Sequence, residues 1–285
     1  MLEEKYMKII GLVPVYKPNK KEIHNIEKYV DDLDACYILD DSGTSNIELF
    51  KELKEKYHDK IQYFLNKENL GLCKSVNNGY RIAMHKGADW ILIMNPDGTF
   101  QNNAIDIYKD YINNNDTSNV AIIAPRFNTD RRKRNSGKGI KRIKYADMTG
   151  CLYNVKIFNE IGFYDNNTYF YGLDTEMCLR VNELSYLIVE CSEAVLDHNP
   201  AETYNVKIFG KTVFKCGKDV PQRYYYQFRS AYYINNKYHS IRNILFHIYK
   251  ITKVILFFDN KKEYFRMIKY GIRDAKKEYF GKYNH

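Results

Sequence analysis

The sequence predicts an α/β fold with a mostly parallel central sheet, helices on both of its faces and a helical extension at the C-terminus. Three observations carry this. Short apolar runs alternate with helical patterns through the first two thirds of the chain, polar residues gather where those runs end, and the chain turns amphipathic, basic and aromatic from about Pro221. With 285 residues, 45% hydrophobic and 28% charged, there is apolar material for one large core and a small appendage, and global disorder is excluded. A main domain is expected over residues 1–220 and amphipathic helices over 221–285.

In chain order, strands are predicted at residues 8–13, 36–39, 61–65, 90–94, 120–124 and 187–191. Helices are predicted between them at 24–30, 47–57, 72–85 and 104–112. In such sheets ligands bind at the carboxyl ends of the strands, and those ends are where the polarity lies. The first strand leads into Pro14-Val15-Tyr16-Lys17-Pro18 and the second into Asp40-Asp41-Ser42-Gly43-Thr44. The third leads into Asn66–Gly71, running on to Lys74 and Asn77, and the fourth into Asn95-Pro96-Asp97-Gly98. Four successive strand ends with carboxylate, amide or turn chemistry on one sheet edge read as a binding site.

The net charge of +9 predicts anionic partners such as phosphate, nucleic acid or an acidic membrane face. Six scattered cysteines without a C-x-x-C pair give no zinc or redox motif and read as buried thiols of a reducing compartment. The N-terminus has no signal-peptide pattern, and no run approaches the ~20 apolar residues of a membrane span. A cytoplasmic protein is expected. Residues 128–144 hold Arg131, Arg132, Lys133, Arg134, Lys138, Lys141, Arg142 and Lys144 and read as a mobile basic loop, either simply solvated or reaching phosphate. In the tail, Ile241, Ile244, Leu245, Ile248, Ile251, Val254 and Ile255 fall near helical spacing, interrupted by Arg242, His247, Lys250 and Lys253. Such helices either pack their apolar faces on the domain or lie in a membrane interface; the Tyr-rich tail also suits a dimer face.

Asp97 is the best metal-ligand candidate, because it follows the rigid apolar strand WILIM and a diphosphate needs a divalent cation held by one or two carboxylates. By itself, N-P-D-G is also a good type I turn. Asp174 reads as the N-cap of a helix running through Asn182; behind the aromatic stretch Tyr169-Phe170-Tyr171-Gly172, which could wall a sugar, a carboxylate can take a proton from an incoming hydroxyl. Glu176 and Arg180 are spaced for an ion pair. His198, just past the last predicted strand, reads by itself as a satisfied hydrogen-bonder and, near a metal at Asp97, as a second metal or phosphate contact.

In order along the chain, GLVPVYKP, ILDDSGT, NLGLCKSVNNG, ILIMNPDGTF, MTGCLYNVKIFNEIGFYD, YGLDTEMCLR and LDHNP resemble the family 2 glycosyltransferases. The resemblance runs from about Lys8 to Pro200 and continues to about Lys237; NPD and RYYYQFR look most like the rhamnosyltransferase-type branch that builds bacterial surface polysaccharides. It implies the GT-A fold, with a Rossmann-like sheet, and an inverting, Mn²⁺- or Mg²⁺-dependent transfer of a sugar from a nucleoside diphosphate to a glycan or lipid-linked acceptor. Pro14 and Tyr16 would border the nucleotide, Asp40 and Asp41 would meet base and ribose, and Gly71 would let the backbone approach. Lys74 and Asn77 would contact nucleotide or phosphate. Asp97 would be the surviving carboxylate of the D-x-D metal motif, with Asn95 in place of the first; Asp174 would be the catalytic base and His198 a metal or phosphate ligand. Leu173 stands where many members carry a second acidic residue. The resemblance also implies peripheral attachment at the inner face of the cell membrane.

Two other classes compete. A nucleic-acid-binding protein would use the basic loop and the tyrosines, but leaves the polar strand ends without a task. A nucleotidyltransferase would bring a Gly-rich triphosphate loop, and none is visible. No G-x-G-x-x-G follows the first strand, which disfavours a dinucleotide-dependent dehydrogenase. No nucleic-acid partner is expected.

Overall fold

The computed structural model describes residues 7–131, 137–209 and 211–284. The first half alternates as the apolar runs require: β1 (Ile9–Val15), α1 (Lys20–Glu27), β2 (Ala35–Asp40), α2 (Lys51–Tyr57), β3 (Ile61–Leu65), α3 (Leu72–His85) and β4 (Trp90–Ile93). Next come β5 (Thr99–Phe100), α4 (Ala104–Asn114), β6 (Val120–Asn128), β7 (Ile140–Ile143), β8 (Cys151–Asn154), α5 (Val155–Ile161), α6 (Leu173–Glu183) and β9 (Leu187–Asp197). A hairpin, β10 (Glu202–Ile208) and β11 (Lys211–Lys218), leads to three helices, α7 (Pro221–Tyr238), α8 (Ile241–Phe257) and α9 (Lys261–Lys276).

The main sheet runs β3-β2-β1-β4-β8-β6-β9-β5, with β7 paired to β9. The first four strands of that order are parallel, so their exits lie on one edge as expected; β8 enters antiparallel between β4 and β6. Both faces are covered. α3, α5 and α6 close one face through Val76, Tyr80, Phe158 and Met177, and α1, α2 and α4 close the other through Ile26, Leu53 and Tyr108. All six cysteines are free and buried.

Three expectations change. Ile140–Ile143 of the basic segment form a strand against β9, and Arg131 is anchored by hydrogen bonds to Ala201 O (2.8 Å) and Thr203 Oγ1 (3.0 Å). The segment is therefore partly built into the sheet; Arg132, Lys133 and Arg134 lie outside the described residues. The strand ending before His198 is not the last, because the hairpin follows, and Val206 and Cys216 share a core with Tyr224, Phe228, Val254 and Met267 of the C-terminal helices.

The third change concerns α8, for which packing and a membrane interface are both open in the sequence: Ile251 and Val254 pack on the C-terminal core, but most of its apolar residues do not pack on the domain. Its polar residues face inward instead: Lys250 donates to Gln227 Oε1 (2.5 Å), Lys253 to Gly217 O (2.8 Å) and Asn243 to Asn235 Oδ1 (2.9 Å). Ile241, Leu245, Phe246, Ile248 and Leu256 are left exposed by half or more of their surface. No helix among the described residues is long and apolar enough to cross a membrane.

Candidate active site

At the β4 exit, Asn95–Gly98 close a turn through Gly98 N–H to Asn95 O (3.0 Å), and Asn25 Nδ2 braces it from α1 by donating to Pro96 O (3.0 Å). Thr99 then pairs with Asp197, and this antiparallel register sets His198 opposite Gly98, next to Asp97. His198 Nε2 lies 3.3 Å from Asp97 Oδ1, the imidazole nearly covered and the carboxylate more than half exposed. Burial, the largest influence on Asp97, would raise its pKa; the hydrogen bond and charge of His198 outweigh it and hold the carboxyl below its usual value. Asn95 acts through its backbone, donating to Thr149 Oγ1 at 2.9 Å.

Asp97 and His198 thus offer a carboxylate and an imidazole at one point. Among the described residues no group of three or more His, Cys, Asp or Glu converges to hold a metal. Two protein donors suit Mg²⁺ or Mn²⁺, which complete their shells with substrate phosphate and water, so the residues fit a cation that arrives with a diphosphate.

Asp174 is not the N-cap of α6. Gly172 is, with φ +81°, and Asp174 is the second residue of the helix. A side chain at 172 would also meet Ile234 Cδ1 (2.9 Å) and Ser230 Cβ (3.0 Å) of α7, so only glycine fits. The Asp174 Oδ1 is shut off from solvent and has no hydrogen-bond partner. Burial and the nearby Asp147 carboxylate push its pKa well above the usual range, against one hydrogen bond from the Met148 N–H. A carboxylate with raised proton affinity and a free lone pair is equipped as a general base.

The β2 and β3 exits turn out to be braces. Asp40 is fully buried, accepting from Ser42 N–H (2.9 Å), Asn46 Nδ2 (2.9 Å) and Tyr63 OH (2.5 Å). Burial would raise its pKa, but these bonds together lower it. Asp41 accepts from Asn66 Nδ2 (3.0 Å), Leu70 N–H (2.9 Å) and Gly71 N–H (3.0 Å), and burial nonetheless raises it. Each carboxylate thus accepts three hydrogen bonds from the chain itself, while Asp41 Oδ2, holding only the Gly71 N–H, keeps a lone pair.

Gly71 has φ +85°, and a Cβ there would strike the Tyr169 ring at 2.5 Å; the close approach is to an aromatic ring of the chain itself. Asn77 is corrected as a nucleotide contact: it is buried, donates to Tyr164 O (2.8 Å) and Asn166 Oδ1 (3.0 Å) and accepts from Tyr164 N–H (3.1 Å). Tyr169 does not wall a sugar either; it is buried and stacks on Tyr226 of α7 at 5.3 Å. Pro14 is buried within β1, one residue before its end, while Tyr16 and Lys74 are exposed beyond the strand ends.

Sequence reading missed two things. One is Asp147, an exposed carboxylate just before the turn that leads into β8; its signal was the step from a charge to Met148-Thr149-Gly150. The other is how α7 clamps α6. Glu176, wholly buried, pairs with Arg180 (2.9 Å) as expected but also with Lys237 (3.0 Å) and Tyr238 OH (2.6 Å).

The sequence model for Glycosyl transferase family 2 matches residues 21–172, more than half of the chain, and stops two residues short of Asp174. The chain is 25% identical over 290 residues to the dTDP-rhamnosyl transferase RfbF of Shigella flexneri, covering 90% of this chain and 92% of that relative. The fold is similar to the crystal structure of GalNAc-T7 with UDP, GalNAc and Mn²⁺, at a TM-score of 0.59 and 12% identity. That likeness covers 97% of this chain but only 59% of the other, and it places the fold in the GT-A class. Motif order, sheet order and the family match agree: the chain belongs to glycosyl transferase family 2, and its activity is glycosyl transfer.

Proposed function

We propose that this chain transfers rhamnose from dTDP-rhamnose, with inversion, to a hydroxyl of a lipid-linked glycan in bacterial surface polysaccharide synthesis. The observation that carries the mechanism is the unpartnered Oδ1 of Asp174. It accepts the proton of the acceptor hydroxyl as that oxygen attacks the anomeric carbon in line with the departing diphosphate. Displacement in one step needs no second nucleophile. A divalent cation held by Asp97 and His198 would neutralise charge on the leaving diphosphate. The exposed Tyr16 and Lys74 remain available to the nucleotide. The RfbF relative, acting on a dTDP-rhamnosyl donor by its name, supports the choice of sugar.

A panel of nucleotide sugars, each with and without Mg²⁺ or Mn²⁺, tests this by thermal shift. Ligand bound at 100 times its Kd stabilises by about 2.7 kcal/mol, so dTDP-rhamnose with a cation is expected to give the largest rise in Tm. A larger rise with a UDP-hexose would replace the donor.

The lipid part of the reading rests on α8. Residues 221–285 carry 14 Lys and Arg against 4 Asp and Glu, whereas the preceding 220 carry 30 against 31. The basic excess of the protein therefore lies in the C-terminal segment as a whole; α8 adds to it an outward apolar face, while its own Lys250 and Lys253 turn inward. We expect the full chain to sediment with phosphatidylglycerol vesicles and a Leu245→Glu/Ile248→Glu variant to stay in solution. Equal sedimentation of both would assign the face elsewhere, and a concentration-dependent dimer lost in the same variant would assign it to a second copy.

A further inference from the structure

We propose that Asp147 is a substrate-contact residue whose carboxylate accepts hydrogen bonds from the ring hydroxyls of the donor sugar, between the diphosphate and Asp174. The proposal rests on the glycosyl-donor reading above and deepens it. Residues 146–150 bridge the β4 exit and α6. On one side Thr149 Oγ1 accepts from Asn95 N–H (2.9 Å) and Gly150 N–H donates to Ile93 O (2.7 Å), fastening the segment to the strand and turn that bear Asp97. On the other, Ala146 N–H meets Cys178 Sγ (3.4 Å) and Cys178 Sγ–H donates to Ala146 O (3.6 Å), fastening it to α6. Asp147 stands between these attachments.

The residues that follow it, Met148, Thr149 and Gly150, are buried, and Cys151 Sγ–H donates back to Asp147 O at 2.9 Å. The backbone is thus held while the side chain is exposed, and that side chain makes no hydrogen bond among the described residues. Its charged neighbours come from three elements: Asp174 of α6, His198 after β9, and Arg242 of α8, whose guanidinium sits 3.5 Å over the Tyr145 ring. A second carboxylate beside Asp174 has no structural use and repels it. Hydroxyl groups give it one. In an in-line displacement the anomeric carbon lies between the leaving phosphate, marked by Asp97 and His198, and the attacking oxygen, marked by Asp174. A sugar ring in that space passes alongside Asp147.

The test compares dTDP-rhamnose with dTDP, binding each to the full-length protein with Mg²⁺ by calorimetry. Wild type is expected to bind the sugar nucleotide more tightly than dTDP. Asp147→Ala should bind dTDP as wild type does but lose about 10- to 100-fold toward dTDP-rhamnose, the worth of hydrogen bonds to a charged group. Asp147→Asn, which keeps an acceptor oxygen, should recover part of it. An alanine variant that retains the sugar-dependent gain, or that weakens dTDP equally, overturns the proposal and leaves the donor reading standing. Wild type that binds no dTDP compound overturns that donor reading and this inference with it.

Discussion

Asp174→Asn is expected to lower transfer by about 10²- to 10⁴-fold, the usual worth of a positioned general base, with donor binding unchanged. The amide keeps the shape of the side chain and the contact with the Met148 N–H but cannot take a proton. Because the lost function belongs to the transition state, kcat should fall while the Kd for the donor holds. In wild type, transfer should rise with pH through a limb set above the usual carboxylate value of 3.8, since burial and Asp147 raise the proton affinity of Asp174 and only the ionised form is a base. Near-wild-type turnover in the variant would remove Asp174 from the role.

The same substitution should stabilise the fold. The pKa of Asp174 is higher folded than unfolded, so its contribution is intact below the unfolded value and is lost as pH rises through the folded one. Asparagine has no charge to lose. The variant should therefore have the higher Tm at neutral pH, because a neutral amide is cheaper to bury than a charge, and the two should converge in acid. A lower Tm at neutral pH would show that the carboxylate is solvated after all.

What was legible in the sequence follows from which interactions are local. Runs such as WILIM and VAIIA mark strands buried on both faces, and a continuous apolar run has few alternatives inside a domain. Leu72–His85 was readable end to end because its apolar spacing has one period throughout. The Asp97–His198 pair was legible as two strand-end residues, although their meeting depends on the short pairing of Thr99 with Asp197, two residues long and invisible to periodicity. Asp40, Asp41 and Asn77 were placed at strand exits or a helix start, but their bonding partners within the chain were invisible, because Tyr63, Leu70 and Tyr164 arrive from other elements. α8 stayed open for a different reason. Its amphipathic pattern fixes that two faces exist, not which of them the protein keeps.

Glu176→Ala is expected to cost about 3–5 kcal/mol, the loss on removing one partner of a buried ionic group. Glu176 has no solvent contact, and its two oxygens hold three groups: Arg180 on one, Lys237 and Tyr238 on the other. Lys237 also donates to Asp165 (3.0 Å), which accepts from Tyr233 OH (2.6 Å), so α7 is tied both to α6 and to the loop before it. Burial would lower the pKa of Lys237, but the bonds to Asp165 and Glu176 outweigh it and raise it. Arg180, in turn, donates to Ile161 O and Gly162 O at 2.7 Å each, satisfying carbonyls at the end of α5. Removing the carboxylate leaves two cations facing each other without the charge that joined them. Glu176→Gln should lose less, because the amide still accepts from one partner. Urea unfolding of the full-length variants, read by the midpoint at constant slope, measures both. Glu176→Ala and Lys237→Ala should be strongly non-additive when combined, since each breaks the same link. Because Asp174 lies two residues before Glu176 on the first turn of the helix, the alanine variant should also lose turnover in the temperature range where it remains folded. A loss below 1 kcal/mol with simple additivity would mean that α7 rests on the catalytic face without holding it.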